Sequence, residues 1–279
     1  MGTITPHSFP GGRSGSLRYS IIMHCLLAIA APAFALAAPM QPALALEGGI
    51  PRAHHPWGKF APGSWKLVRV VTETLGPDGK TVVTTSTTET RTTLEELTDT
   101  TVKLLINTSV EVAGKKVDAK PQTIVQGYHG ESTEQPVTVR DLGPDKLTIE
   151  GHEVPCRVQQ VETTADGAKT TAKTWYSDTV APYVLRRESV ATEAESEKPL
   201  SETTVNIVDL DEAKTVLSKK RHTVMLKVIH KHAKGHTDTQ VWSTLEVPGG
   251  IIAHESEERD AAGQLVRRST LEVVDFGVK

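Results

Sequence analysis

Cysteine is nearly absent from this chain. Of its 279 residues two are cysteine, Cys25 and Cys156, and only the second lies beyond the apolar start. No internal disulfide can therefore staple the folded part, and stability must come from a packed core. Aromatic residues make up only 4%, so few large rings are on hand to fill an interior. Acidic and basic residues nearly balance, 34 against 31 for a formal charge of −3. A mildly acidic balance argues against nucleic acid as a partner, which demands clustered Lys and Arg. The chain also lacks a Gly-x-Ser-x-Gly elbow, a phosphate-cradling Walker loop and a dinucleotide fingerprint. No catalytic residue and no cofactor is assigned, and the protein is read as non-enzymatic.

What is present begins with a leader. The first twenty residues hold Arg13 and Arg18 and no acid; Ile21 to Ala38 follows, almost wholly apolar; then come Ala35-Leu36-Ala37 and Ala43-Leu44-Ala45, small residues that suit a signal peptidase. These are the three parts of a secretory signal over residues 1–45, cleaved after Ala37 or Ala45. A retained membrane anchor is disfavoured because Pro32, Pro39 and Pro42 interrupt a stretch that would need about 20 continuous apolar residues. Cys25 stands at the start of the apolar run, the wrong end for a lipidated cysteine. The expectation is an exported protein, periplasmic or extracellular, with no membrane span after cleavage. About 240 residues then remain, ample for a core, and the loss of two arginines leaves the surface mildly acidic.

Residues 46–63, rich in Gly, Pro and His, read as a flexible tether. From residue 64 to 279 the character is that of an all-β, mainly antiparallel domain. Trp65 to Val71 leads into Gly76-Pro77-Asp78-Gly79 and returns as Thr81 to Thr85, a hairpin in which Pro presets the turn dihedral and Gly supplies a positive φ. Further turns are expected at Asp99, Gly114, Gly143-Pro144-Asp145, Asp166-Gly167, Lys234-Gly235, Gly249-Gly250 and Ala262-Gly263. The abundant threonines, Thr81 to Thr93 above all, fit solvent-facing strand positions, where the β-branch favours extension and the hydroxyl meets water. Helix is entertained only at Leu94–Leu97 and at Asp211–Leu217, the latter with Asp211 as N-cap.

An internal repeat is the sharpest pattern. Placing Trp175 over Trp242 aligns Lys173–Ser177 with Gln240–Thr244, Glu188-Ser189 with Glu255-Ser256, and Val205–Leu210 with Leu271–Phe276. Two units, 143–210 and 211–279, follow with a period of about 67 residues. Each is a four-stranded meander that cannot bury its apolar face alone, so the units must join into a curved sheet or half-open barrel. Core packing is the preferred role for Trp175 and Trp242; lining a ligand cavity is the alternative.

The stretch Leu147 to Val158, with Gly151, Cys156 and Val158, followed by a Gly hairpin and Trp175-Tyr176, resembles bacterial envelope domains of the TapB-like kind. More distantly it is similar to the half-open β-barrels of LolA-type carriers. The resemblance implies a curved antiparallel sheet in the cell envelope and no particular chemistry.

Candidate site residues are few. His230 and His232, two apart on one strand, present both imidazoles to one face and could share a Zn²⁺ or Cu²⁺ ion; the plainer reading is an exposed edge strand kept soluble by Lys227, Lys231 and Lys234. His54-His55 is at most a weak surface site. Glu188 and Glu255 form equivalent positions through the repeat rather than an acid–base pair. Cys156 reads as a small buried apolar residue. Two functions compete: a β-sheet module binding an apolar small molecule, a lipid or an envelope protein on its concave face, and a structural or interaction protein with no small ligand. A weak metal-binding role through His230 and His232 is the further alternative.

Overall fold

The computed structural model describes residues 50–130, 137–165 and 167–279. The expected leader, the first residues of the expected tether and Asp166 of one expected turn lie outside the described residues. Within them the chain forms fourteen strands: β1 (Trp65–Leu75), β2 (Val82–Leu97), β3 (Thr101–Val112), β4 (Lys115–Asp118), β5 (Gln122–Gly127), β6 (Val137–Ile149), β7 (His152–Ala165), β8 (Ala168–Tyr176), β9 (Val184–Glu193), β10 (Pro199–Val216), β11 (Lys219–His232), β12 (Gly235–Ser243), β13 (Ile251–Asp260) and β14 (Leu265–Gly277). They make one curved, unclosed antiparallel sheet, as the strand patterns predict, ordered β4-β3-β2-β1-β14-β13-β12-β11-β10-β9-β8-β7-β6, with β5 also on β3. The chain starts mid-sheet at β1, zigzags out to β4 and β5, restarts at the far edge with β6, and meanders back until β14 pairs with β1.

The first hairpin forms as its sequence demands. Asp78 accepts hydrogen bonds from the backbone of Lys80 and Thr81 and from the Thr81 hydroxyl, and Gly79 takes a φ of +65°. Both helix expectations fail. Leu94–Leu97 belongs to β2, where Leu94 is fully buried opposite Leu104; Asp211–Val216 belongs to β10, and from Glu212 on it pairs with β11 between Lys219 and Thr223. In each case cross-strand burial outweighs a modest local helix preference. Gly143-Pro144-Asp145 is not a turn but the bulged middle of edge strand β6, a position where Pro costs no ladder hydrogen bond. β11 runs between β10 and β12, so its lysines do not guard a sheet edge. Nor do the threonines all face water: Thr90, Thr92, Thr174, Thr237 and Thr239 are buried.

Residues 50–64 do not behave as a tether. They form a strap across one end of the sheet, in which Ile50, Trp57 and Phe60 pack with Leu94, Val102, Leu104 and Tyr128 on one side and Tyr176, Tyr183 and Val184 on the other. Strands far apart in the sheet order thus meet the same segment, which requires strong curvature. Arg187 on β9 donates to the carbonyl of His129 beyond β5 at 2.8 Å, narrowing the gap without strand pairing. Pro56, Trp57 and the 244–250 loop interlock: Gly249 donates to the Pro56 carbonyl, and a Cβ on Gly249 would lie 2.9 Å from the Trp57 indole, at a φ of +71°. Truncating Trp57 or Phe60 to Ala is expected to cost about 3–5 kcal/mol.

The sheet face that carries Leu94 continues through Thr92, Thr90 and Ser86, and across the pairings to Thr239, Ser256 and Ser269. These small polar side chains are buried and satisfy one another: the Thr239 and Ser256 hydroxyls lie 2.8 Å apart, and Ser269 lies 3.4 Å from Nε2 of His254. Apolar packing concentrates in two other clusters, one joining Ile149, Val154 and Cys156 to Leu185, Val205 and Leu226, the other joining Val216 and Trp242 to Val247, Ile252 and Val273.

Candidate functional site

Trp175 on β8 and Trp242 on β12 lie on the opposite face from Thr174 and Val241, by strand alternation. Each is reached by the tip of a long hairpin that continues past its neighbours. The β6–β7 tip brings Asp145 to Trp175, whose Nε1 donates to the carboxylate at 2.8 Å; the β10–β11 tip brings Glu212 to Trp242, whose Nε1 donates at 2.6 Å. The indole bond, with a second bond from the Lys146 backbone, holds the Asp145 carboxyl below its ordinary range. A cation covers each ring, Arg186 at 4.8 Å from the Trp175 centroid and Lys214 at 3.1 Å from that of Trp242. Trp242 is buried and Trp175 half-buried.

The surroundings of the two rings share a register and differ in residues. On β8 and β9, Lys173 opposes Glu188 and Trp175 opposes Arg186, with a bulge after Trp175; on β12 and β13, Gln240 opposes Glu255 and Trp242 opposes Ala253, with a bulge after Trp242. Arg186 forms an ion pair with Glu188. Beside Trp242 two adjoining clefts of about 540 and 280 Å³ open, sharing Val71, Glu255 and Thr270 as lining. The larger has polar and charged walls, Lys227, Asp238 and Gln240 among them, whereas the smaller sets Lys214 and Glu255 among Val216, Leu217, Ile252, Ala253 and Leu271. Neither Trp175 nor Trp242 lines either cleft. Burial pushes the Lys214 ammonium below its ordinary pKa, against the pull of Glu255 and Glu212.

His230 and His232 lie on the buried polar face of β11, their rings 5.6 Å apart. Nδ1 of His230 is 2.8 Å from the Thr203 hydroxyl, and burial lowers its pKa. Nδ1 of His232 accepts from the Lys234 backbone at 3.2 Å. Among the described residues no group of three or more His, Cys, Asp or Glu side chains is placed to hold a metal ion. Cys156 is buried, and burial raises its thiol pKa, which suits packing rather than nucleophilic chemistry.

His55, expected at the surface, is instead buried and stacked on Tyr128 at 5.0 Å, and sequence reasoning did not single out two further buried imidazoles, His129 and His254. Burial lowers each to a pKa of about 4. His54 stacks on Tyr183 at 3.7 Å and hydrogen-bonds the Tyr176 hydroxyl. The signal for the strap was available, since Trp57 and Phe60 are two of a chain's few aromatics placed in a stretch otherwise read as linker.

No family model and no curated protein matches the sequence. Among solved structures, the chain is similar to a protein from Bacteroides fragilis described as exported and YmcC-like in fold, with 7% identity, a TM-score of 0.33, and coverage of 78% of this chain and 97% of that one. A protein from Parabacteroides distasonis described as a lipoprotein gives 6% identity, a TM-score of 0.32, and coverage of 80% and 98%. MucB in complex with MucA gives 12% identity, a TM-score of 0.17, and coverage of 76% and 88%. Likenesses this slight transfer no function. Among the described residues no helix is long and apolar enough to cross a membrane.

Proposed function

We propose that this chain is an exported β-sheet protein of the cell envelope that serves as an interaction module, meeting a protein partner on its surface rather than carrying an apolar molecule inside. One observation carries the reading. The space that a half-open sheet would offer a lipid is taken up by the chain itself, by Trp57 and Phe60 of the strap at the closed end and by interlocked Thr, Ser and His side chains along the same face. The larger cleft is lined almost wholly by charged and polar groups, which an acyl chain would leave unpaired. Export rests on the leader of residues 1–45. Trp175 and Trp242 act as anchors for the two hairpin tips. The reading is tested by mass spectrometry of solvent extracts from protein purified out of its native envelope. No stoichiometric lipid is expected, and one lipid per chain would overturn the proposal.

A further inference from the structure

The strap of residues 50–64 is held to the sheet without strand pairing. Its backbone hydrogen bonds close mainly within the segment, onto the carbonyls of Pro51, Arg52, His55, Trp57 and Ala61. Among the described residues only the Pro56 carbonyl, which accepts from Gly249 at 3.2 Å, ties the backbone of residues 50–62 to the sheet and its loops. The far end is pinned: Gly63 donates to the Leu94 carbonyl, Leu94 donates to that of Ser64, and the Lys279 backbone donates to the Ser64 hydroxyl. Gly63 itself takes a φ of +90°, a turn from which the strap can leave with no strand pair broken. Side chains supply the rest of the hold. His54 stacks on Tyr183 and bonds the Tyr176 hydroxyl, on the β8–β9 side. His55 faces the β5 side, stacked on Tyr128, and its Nδ1 accepts the Trp57 backbone N–H at 3.3 Å. His129 follows Tyr128; its carbonyl takes the Arg187 bond across the gap between β5 and β9, and both of its ring nitrogens are buried without a hydrogen-bond partner, which weakens the join.

We infer that the strap is an acid-released latch: protons on His55 and His129 let residues 50–62 swing out at Gly63 while the strands stay paired, uncovering Leu94, Leu104, Tyr128 and Tyr176 at the closed end. A proton on Nδ1 of His55 removes the acceptor that Trp57 uses and sets a cation in an apolar site. One on His129 sets a cation against the Arg187 guanidinium. The other charges packed around the latch are Arg52 and Asp99, which act on Tyr128, and Asp178, which acts on Tyr176. Burial holds both imidazoles at a pKa of about 4 against an ordinary 6.5, and Arg187 adds to the effect at His129. At pH 5 a released imidazole is protonated and a latched one is not, which favours release by about 30-fold for each; at pH 7 the factor is about one. The strap's apolar contacts oppose release, so acid raises a minor open population. His254 is the internal control. It is neutral through burial in the same way, but it stands on β13 within the ladder, where protonation is coupled to loss of the sheet.

This inference goes beyond the interaction reading and does not rest on it, since it concerns how residues 50–62 leave and not what the surface meets. The test is hydrogen exchange of the purified protein, followed by peptide mass spectrometry at pH 7, 6 and 5 and corrected for the intrinsic pH dependence of amide exchange. The strap is expected to open more often than β11–β13 at every pH, and its opening to rise by roughly 10²–10³-fold from pH 7 to pH 5, two imidazoles acting together. That rise is expected to shrink to roughly 20-fold in His55→Gln and in His129→Gln, and to stay in full in His254→Gln. The rise in acid is read rather than the level at pH 7, so a variant that only loosens the strap does not imitate the result, and circular dichroism confirms the fold of each. Strap protection equal to that of β11–β13, no rise in acid, or a full rise in either His55→Gln or His129→Gln would overturn the latch.

Discussion

Trp175 and Trp242 occupy one register in two halves of the sheet, each with its indole bonded to a carboxylate from a hairpin tip and a cation over its ring. Around that shared frame the first site is closed by its own residues, Arg186 pairing with Glu188, while the second is open, with Ala253, Glu255 and Lys214 facing a cleft in which Glu255 pulls on the lysine. The shared frame is set by backbone pairing and bulges, which tolerate substitution so long as alternation is kept. What varies is the side chain standing on the frame. The common register and the repeated Trp–carboxylate spacing support the proposal that residues 143–210 and 211–279 descend from one duplicated unit. On that reading the second copy differs from the first where it is open to solvent.

The largest expected difference between the sites is in stability. Trp242→Ala should cost about 3–5 kcal/mol, and Trp175→Ala, half-buried, about half as much; equal losses in urea unfolding would break the comparison. Acid should separate them next. His254 in the second half stands where the first half has Arg187, which keeps its charge, and His254, His55 and His129 have folded pKa values near 4 against an ordinary 6.5. Between those values the unfolded chain binds protons that the folded chain refuses. Stability is therefore full above pH 6.5 and falls as pH drops toward 4, by up to about 3 kcal/mol for each buried imidazole. His254→Gln should flatten the decline by about a third relative to the parent, measured by urea unfolding at steps from pH 7 to 4. The smallest effect belongs to Gln240→Lys with Ala253→Arg, which rebuilds the first site in the second; it should raise the melting temperature slightly, by less than about 1 kcal/mol in stability, because the pair is solvent-exposed. A loss would mean that the sites are not interchangeable.

Much of the fold was legible in residue order. Gly-marked turns between β-branched runs gave the antiparallel strands, and the Trp175 and Trp242 alignment pointed to two stretches that do share a register. Long-range packing was not legible. The strap's burial depends on Tyr128 and Tyr176, strands apart, so Trp57 and Phe60 looked like exceptions in a linker. Asp211–Val216 carries a helix-compatible pattern and extends only because β11 lies beside it. The open cleft could not be found either, because its walls come from strands that meet only in the folded sheet.

The most direct measurement is mass spectrometry of solvent extracts from protein purified out of its native envelope. The account predicts no stoichiometric lipid, and one lipid per chain would contradict it.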